Sequence, residues 1–292
     1  MNLREFVSMD NPVVFVAVYF VFVLLLGVYS WFKIKTPSDY YVAGKNAKLI
    51  PVSGSLLATI LGGSAILGTI ELSQNVGWAA LWFLFCASFG LFVLAPLAKY
   101  VSRYGKFTLP GLLGHFFGER ARIISSVVVP LAWLGVVGAQ IIAAAKILAG
   151  LEIIGYSAAA ILAGTVFILY TLFGGQVSIL KTDTLQSVLI VAGLAALTVF
   201  SAHTPHADTL PVLKTNALFN ASFTGMDLLI LVLTYSVTFV VGPDIYSRVF
   251  CAKNEKTATR SVLIVAVILI PISFGLTYLG VYSIAVGSRE IM

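Results

Sequence analysis

Two adjacent glycines interrupt an otherwise apolar stretch, SLLATILGGSAILGT at residues 55–69. Gly62-Gly63 lowers the cost of unwinding a helix at that point, and an unwound turn frees the carbonyl oxygens of the residues before it. Carbonyl and hydroxyl oxygens coordinate hard cations such as sodium. The stretch therefore favours a cation site in the middle of a helix. The alternative is that the small residues only let two helices pack closely.

A second apolar stretch, LLILVLTYSVTFVVGPDIYSR at residues 228–248, is interrupted by Gly242-Pro243. The charges of the flanking loops predict that this helix runs in the opposite direction to the first interrupted helix, five helices earlier. Two interrupted helices in that relation are typical of an inverted repeat. Gly242-Pro243 lies closer to the inner end of its helix than Gly62-Gly63 does, and a simple proline kink is the alternative.

The elements that carry these interruptions are predicted to be membrane helices. The 292 residues are 59% hydrophobic and only 10% charged, with a mean hydropathy of +1.00, whereas soluble domains contain about 25% charged residues. Because about 20 apolar residues cross the hydrocarbon core, long apolar runs are candidate spans. The eight candidates lie near 12–32, 49–71, 78–98, 123–145, 155–174, 183–202, 226–247 and 261–286.

Lysine and arginine are distributed unevenly over the loops. Of the 18 such residues, all but Arg4, Lys146, Lys214 and Arg289 fall in alternate loops, which the positive-inside rule assigns to the cytoplasm. The sequence therefore predicts a multi-pass protein of the cell membrane (plasma or inner) with its amino terminus outside. A nucleic-acid role is excluded because no basic run is interleaved with aromatics. No nucleophile motif, phosphate loop or metalloprotease pattern supports an enzyme.

Five motifs, in the expected order and covering nearly the whole chain, carry a resemblance to a known family. They are DYYVAGK at 39–45, ATILGGSAILG at 58–68, FTLPGLLGHFFG at 107–118, YTLFGGQVSILKTDTLQ at 170–186 and GPDIYSRVFCAK at 242–253. This set resembles the amino-terminal part of the sodium:solute symporter family, which includes sodium/proline, sodium/pantothenate and sodium/galactose carriers. The most specific part is the Gly-Gly…Thr-Asp-x-x-Gln string.

The resemblance implies a leucine-transporter-type fold, an all-α integral membrane bundle built from inverted repeats. It assigns 1–48 to a leading transmembrane helix and cytoplasmic loop, 49–202 to a first five-helix repeat and 203–225 to an extracytoplasmic loop. Residues 226–292 are then the first two helices of the second repeat. On this reading the chain is truncated after about eight transmembrane helices.

The resemblance also implies a sodium site. In the family, two backbone carbonyls that align with Ala58 and Leu61 hold the ion together with hydroxyls of helix nine, which lies beyond Met292. The family's matching aspartate, here Asp183, is implicated in sodium passage toward the cytoplasm. The alternative is that Asp183 complements the dipole at the start of a helix, with Thr182 as a possible cap. We expect no cofactor apart from sodium as coupling ion, and no other metal site.

Other charged residues are expected to have structural roles. Asp244 is four residues before Arg248 and is predicted to pair with it on one helical face. The alternative is that Asp244 faces the inner aqueous cavity. Lys146 is expected to extend to the outer interface, and Glu71 is assigned no chemistry.

The solute is expected to contact the second predicted span (49–71) after its interruption, and the third and seventh predicted spans (78–98 and 226–247). Sugar carriers of the family place a glutamine where this chain has Ala65, so a sugar is disfavoured, and proline carriers place an aspartate where it has Ile60. A small amino acid, carboxylate or vitamin-like solute is favoured. The candidate contacts are Ala65, Ile66, Thr69, Tyr235 and Thr238.

The leading hypothesis is a sodium-coupled symporter that moves a small organic solute across the lipid bilayer by alternating access. One alternative is a membrane sensor module that precedes a signalling kinase. The other is a truncated, inactive fragment.

Overall fold

The computed structural model describes residues 11–104, 108–152, 154–203 and 217–285, which are predominantly α-helical. Most of the predicted loop at 203–225, and the two termini, lie outside these ranges. The helices are α1 Asn11–Trp31, α2 Pro37–Val42, α3 Leu49–Ile60, α4 Gly63–Val76, α5 Leu81–Tyr104, α6 Leu109–Phe117, α7 Glu119–Ala149, α8 Tyr156–His203, α9 Gly225–Leu231, α10 Val237–Val241, α11 Pro243–Cys251 and α12 Glu255–Ala285. A π-helical turn, Val232–Ser236, joins α9 to α10.

Six helical stretches in the described ranges are long and apolar enough to cross a membrane, which confirms the prediction of an all-helical membrane protein. Two of them, Gly63–Tyr104 with 42 residues and Tyr156–His203 with 48, exceed the length of one crossing, since about 20 residues suffice. Glycines in a left-handed conformation divide both: Gly77 has φ 62° and Gly175 has φ 48°. The division explains why the sequence predicts more spans than there are continuous helices.

The division of α8 corrects one predicted boundary. The sixth span was expected to begin near Asp183, but the helix resumes immediately after Gly175, whose ψ is −155°. A side chain at Gly175 would also lie 2.7 Å from the Tyr40 carbonyl oxygen. Asp183 is therefore two turns inside a helix and is buried.

The basic loops lie together at one end of the bundle. The Ala47 N–H donates to the Cys251 carbonyl at 3.0 Å, and the Lys253 N–H donates to the Ala47 carbonyl at the same distance. Arg103 and Glu255 form an ion pair of 2.7 Å between the end of α5 and the start of α12. Because Ala47 precedes α3 and Cys251 ends α11, the two interrupted helices run in opposite directions.

The other end is formed by the loops that are poor in lysine and arginine. There the Asn220 amide donates to the Val76 carbonyl at 2.8 Å, and the Trp82 indole donates to the Leu218 carbonyl at 3.0 Å. We call these two ends the basic end and the opposite end.

Packing in the bundle separates a buried core from a lipid-facing surface. α5 packs against α12, and α8 packs against both α1 and α3. Leu56, Leu84, Leu91, Leu269 and Leu276 are fully buried in the resulting core. Most large apolar side chains of α1 and α7 are exposed, as expected where hydrocarbon is the solvent.

A short helix at the basic end begins with a capping box. The Thr36 hydroxyl accepts from the Asp39 N–H, and the Asp39 carboxylate accepts from the Thr36 N–H at 2.9 Å. The hydroxyl of Thr36 and the N–H groups of Lys35 and Thr36 lower the pKa of Asp39. This box orients α2 on the approach to α3.

Candidate functional site

The first interruption, Leu61–Gly62, separates α3 from α4. α3 ends at Ile60, Leu61 has φ −86° and ψ 41°, and Gly62 is extended with φ −66° and ψ 165°. α4 begins at Gly63, so the chain leaves the helical conformation for about one half-turn, at the position that Gly62-Gly63 predicted. Two half-helices therefore meet inside the bundle.

The interruption leaves backbone polar groups without helical partners. In a continuous helix the Gly62 N–H would donate to the Ala58 carbonyl. Across the described part of the chain, the Gly62 N–H makes no backbone hydrogen bond, and the Leu61 carbonyl receives none. The Ala65 and Ile66 N–H groups donate instead to Gly62, at 3.0 and 3.1 Å. The carbonyls of Ala58 and Leu61 thus lack the partners a continuous helix would supply, and such oxygens can coordinate a cation.

A polar side chain of α7 reaches this interruption. The Gln140 amide nitrogen donates to the Ser64 hydroxyl at 2.6 Å, and its carbonyl oxygen accepts from the Ser64 N–H at 3.4 Å. A Cβ on Gly62 would lie 2.8 Å from the Gln140 oxygen. A side chain at position 62 would therefore displace the end of the Gln140 side chain, but it would not strain the backbone, because the φ of Gly62 is one that any residue adopts. Gln140 is not among the residues predicted for the site, although a lone amide in the apolar run VVGAQIIAAA was the available signal.

Asp183 lies in a buried polar cluster beside α3. The Ser55 hydroxyl donates to the Asp183 carboxylate at 2.5 Å, and the Arg248 guanidinium pairs with the same carboxylate at 3.3 Å. Arg248 also donates to Ser55 at 3.3 Å. The three side chains join the half-helix before the first interruption to α8 and α11.

This cluster corrects two expectations. Arg248 pairs with Asp183 of another helix, whereas the sequence predicted a pair with Asp244 on its own helix. Thr182 does not cap a helix start, because its hydroxyl donates to the Ser178 carbonyl at 3.2 Å within the continuous helix. Tertiary proximity decided the Arg248–Asp183 pair, which local spacing could not reveal, whereas the role of Thr182 follows from the helix that continues through it.

The second interruption lies at Gly242, between α10 and α11. Gly242 has φ −61° and ψ 123°, and Pro243 is the first residue of α11. A Cβ on Gly242 would lie 2.6 Å from the Thr238 carbonyl and 2.7 Å from the Asp244 carboxylate. Here the chain itself leaves no room for a side chain.

The residues expected to contact the solute fall into two groups. On α4, Ala65 and Thr69 are buried, Ile66 is half-buried, and the Thr69 hydroxyl donates to the Ala65 carbonyl at 2.7 Å. α4 packs against α12. On the other helix, the Tyr235 ring stacks on Phe83 of α5, 4.0 Å between ring centroids. Thr238 is exposed, and its hydroxyl donates to the Thr234 carbonyl at 3.0 Å.

The sequence profile of the sodium:solute symporter family matches residues 40–289. The chain belongs to the sodium:solute symporter family. This membership confirms the resemblance seen in the motifs, and it places the chain in a family of transporters and not of enzymes.

Curated relatives of this symporter-family chain match about two thirds of it. Sodium/glucose cotransporter 2 of Rattus norvegicus is 28% identical over 208 residues, which cover 68% of this chain and 30% of the relative. The sodium/proline symporter of Haemophilus influenzae is 25% identical over 205 residues, covering 65% and 40%. The chain thus spans about a third of the length of the curated relatives it matches.

A solved structure shares the fold. The chain aligns with a substrate-bound, outward-open Na⁺-coupled sialic acid symporter at a TM-score of 0.81 and 17% identity. The alignment covers 95% of this chain and 60% of that one. The likeness confirms the predicted leucine-transporter-type fold.

Proposed function

We propose that the protein is a sodium-coupled symporter that moves a small organic solute by alternating access. The observation that carries this proposal is the pair of carbonyls, Ala58 and Leu61, left without helical partners at the first interruption in a member of the sodium:solute symporter family. These oxygens would bind sodium, together with the hydroxyl ligands that the resemblance implies. The amino terminus is proposed to lie outside.

Asp183 is proposed to attract the cation on its way to the basic end. Its carboxylate lies beside Ser55, on the half-helix that ends at the proposed sodium site. A carboxylate held at membrane depth is expensive unless it is paired or functional, and Arg248 supplies a partner. An arriving sodium ion would compete with that guanidinium for the carboxylate, so cation passage and the ion pair are coupled.

The solute is proposed to bind beside α4 and α7, close to Ser64 and Gln140. Those groups offer one hydroxyl and one amide but no charge of their own, and Ala65 adds only a methyl group. A small solute with few hydrogen-bonding groups fits this wall better than a sugar does, because each unpaired hydroxyl of a buried sugar would be costly. These contacts disfavour a sugar, and we propose one of the classes expected from the sequence, an amino acid, a carboxylate or a vitamin-like compound.

Uptake measurements test the proposal. The full-length protein in sealed vesicles is tested with a panel of labelled solutes: proline, pantothenate, an organic acid and glucose. An inward sodium gradient should drive accumulation of one of them, and replacement of sodium by choline should abolish that accumulation. Asp183→Asn should slow uptake about ten-fold, equivalent to about 1.4 kcal/mol. Glu119→Gln, an exposed carboxylate of the basic end, is the matched control and should leave uptake unchanged. Equal uptake in sodium and in choline would contradict the proposal.

A further inference from the structure

α4 and α7 face each other along a line of residues that we call the α4–α7 seam: Ser64, Gly68 and Glu71 on α4, with Gln140 and Lys146 on α7. The three residues of α4 are spaced i, i+4 and i+7, and so lie on one face of the helix. Two of them contact α7 directly. The face that follows the first interruption is therefore turned toward α7.

Polar contacts hold the two ends of the seam. At the first interruption the Gln140 amide donates to the Ser64 hydroxyl at 2.6 Å. Seven residues further along α4, about 10 Å by the rise of a helix, the Lys146 ammonium pairs with the Glu71 carboxylate at 3.2 Å. Lys146 was expected only to extend to the interface and Glu71 to do nothing, so this ion pair is a finding of the structure.

Between these two contacts the seam is open. A Cβ built on Gly68 meets no heavy atom within 4 Å, whereas a Cβ on Gly63 would lie 3.1 Å from the Ala143 methyl group. The empty space at Gly68 is bounded by Gln140–Ser64 toward the middle of the bundle and by Lys146–Glu71 toward the opposite end.

The Lys146–Glu71 pair is placed where it can control access to that space. It lies near the opposite end, since Glu71 is close to Val76, the last residue of α4. α4 is separated from α3 by the first interruption, so α4 can tilt while α3 stays joined to Asp183 and Arg248. We propose that Glu71 and Lys146 form the outer gate of the solute pathway, and that separation of this pair opens the seam at Gly68 to the exterior. This inference rests on the proposed function.

The exposure of the pair suits a gate. The side chains of Lys146 and Glu71 are 54% and 45% exposed, against 16% and 9% for Arg248 and Asp183. Exposed ion pairs change an equilibrium by only about two- to five-fold. A gate must open at modest cost, because a ligand shifts an equilibrium only by its difference in affinity for the two states. The buried Asp183–Arg248 pair is costly to separate unless a cation takes the place of the guanidinium, while the exposed pair can form and separate in each cycle.

A single cysteine at Gly68 reports access to the seam, because the space there accommodates a side chain. The native Cys86 and Cys251 are both buried, and their replacement by alanine leaves Gly68→Cys as the only thiol of residues 1–292; any further cysteine of the full-length protein is replaced in the same way. The full-length protein is studied in sealed vesicles, with a membrane-impermeant thiol reagent applied to each face in turn. The measured quantity is the rate of modification.

Neutralising either partner should raise the modification rate from the face opposite the basic loops. We expect about a two- to five-fold increase for Glu71→Gln and for Lys146→Gln, and a return to the original rate in the charge-reversed Glu71→Lys/Lys146→Glu protein. Arg122→Gln, which removes a similarly exposed pair with Glu119 at the basic end, is the control and should change nothing.

Three results would overturn the proposal: no modification of Gly68→Cys in any background, unchanged rates in both neutral variants, or no recovery on charge reversal. The assay needs neither sodium nor solute, so its outcome is separate from that of the uptake measurement. A protein that failed to transport with sodium could still show the gate, and a sodium-driven symporter could fail this test.

Discussion

Each of the two interrupted helices has a glycine in an extended conformation at its interruption, but the surroundings of the two glycines differ. At Gly62 the missing Cβ makes room for the end of a flexible side chain, Gln140, which belongs to another helix. At Gly242 the missing Cβ makes room for the chain's own Thr238 carbonyl, and Pro243 removes a backbone donor at the next position. The space at the first interruption is therefore filled by a side chain of another helix, and the space at the second is filled by the backbone of the same helix.

The difference suggests different roles for the two interruptions. A junction held by a side chain from elsewhere can exchange that contact for an ion or a solute at little cost. A junction held by its own backbone cannot be rearranged without unfolding a turn. We therefore expect substitutions at the first interruption to alter binding, and substitutions at the second to alter stability.

The largest effect is expected where the two interrupted helices are joined. Arg248→Met leaves the buried Asp183 carboxylate with only the Ser55 hydroxyl, and removal of one partner from a buried pair lowers the free energy of unfolding by about 3 kcal/mol. Thermal unfolding of the purified protein measures the loss. Asp183→Asn in the same chain should restore most of the stability, because no buried charge then remains.

Arg122→Met provides the comparison for this prediction. Its partner Glu119 is 60% exposed, so the free energy of unfolding should change by less than about 0.5 kcal/mol. Equal losses in the two arginine variants would mean that burial of the Asp183 pair has no energetic consequence.

Gly242→Ala is expected to have an intermediate effect on stability. The φ and ψ of Gly242 suit alanine, so the cost arises only from the new methyl group at 2.6 Å from the Thr238 carbonyl. Forcing backbone atoms apart costs about 1–3 kcal/mol. Gly193→Ala, in the middle of α8 with no atom within 4 Å of its Cβ position, should instead be neutral or stabilising by up to about 1 kcal/mol. Thermal unfolding that ranks Gly193→Ala below Gly242→Ala would refute this account.

Gly62→Ala is expected to have the smallest effect on stability and a clear effect on binding. Its methyl group meets the Gln140 oxygen at 2.8 Å, and this side chain can move away for less than about 1 kcal/mol. The displaced amide then no longer contacts Ser64. The thermal stabilisation by sodium chloride over choline chloride should shrink in this variant, since ligand-induced stabilisation follows the affinity of the folded state.

The double variant Gly62→Ala/Gln140→Ala sharpens that prediction. The double variant lacks the Gln140 side chain that the new methyl group would meet. Its unfolding midpoint should therefore equal, within error, the midpoint of the Gln140→Ala variant. If Gly62→Ala costs as much stability as Gly242→Ala, the two interruptions do not differ in the way the structure indicates.

Much of the fold was predictable because its determinants are local. Apolar runs of the length of a crossing, and glycine or proline within them, identify spans and interruptions from composition and backbone chemistry alone. The fifth span was predicted to end near residue 174, next to the break at Gly175, but the sixth span was expected to begin only near residue 183. The charges at Lys181 and Asp183 suggested that the sixth span begins eight residues after Gly175. A charge in a membrane protein marks either a loop or a buried pair, and Asp183 belongs to a buried pair.

The sequence by itself determined the membrane character and the interruptions at Gly62 and Gly242-Pro243, since each depends on the residues within one helix. It also determined the family, through five motifs along the chain. Only the tertiary structure decided which side chains meet there: Gln140 with Ser64, Arg248 with Asp183, and Lys146 with Glu71. The partners in these pairs are 65 to 76 residues apart. Helical spacing relates residues three or four positions apart, so contacts at that separation depend on how the helices pack.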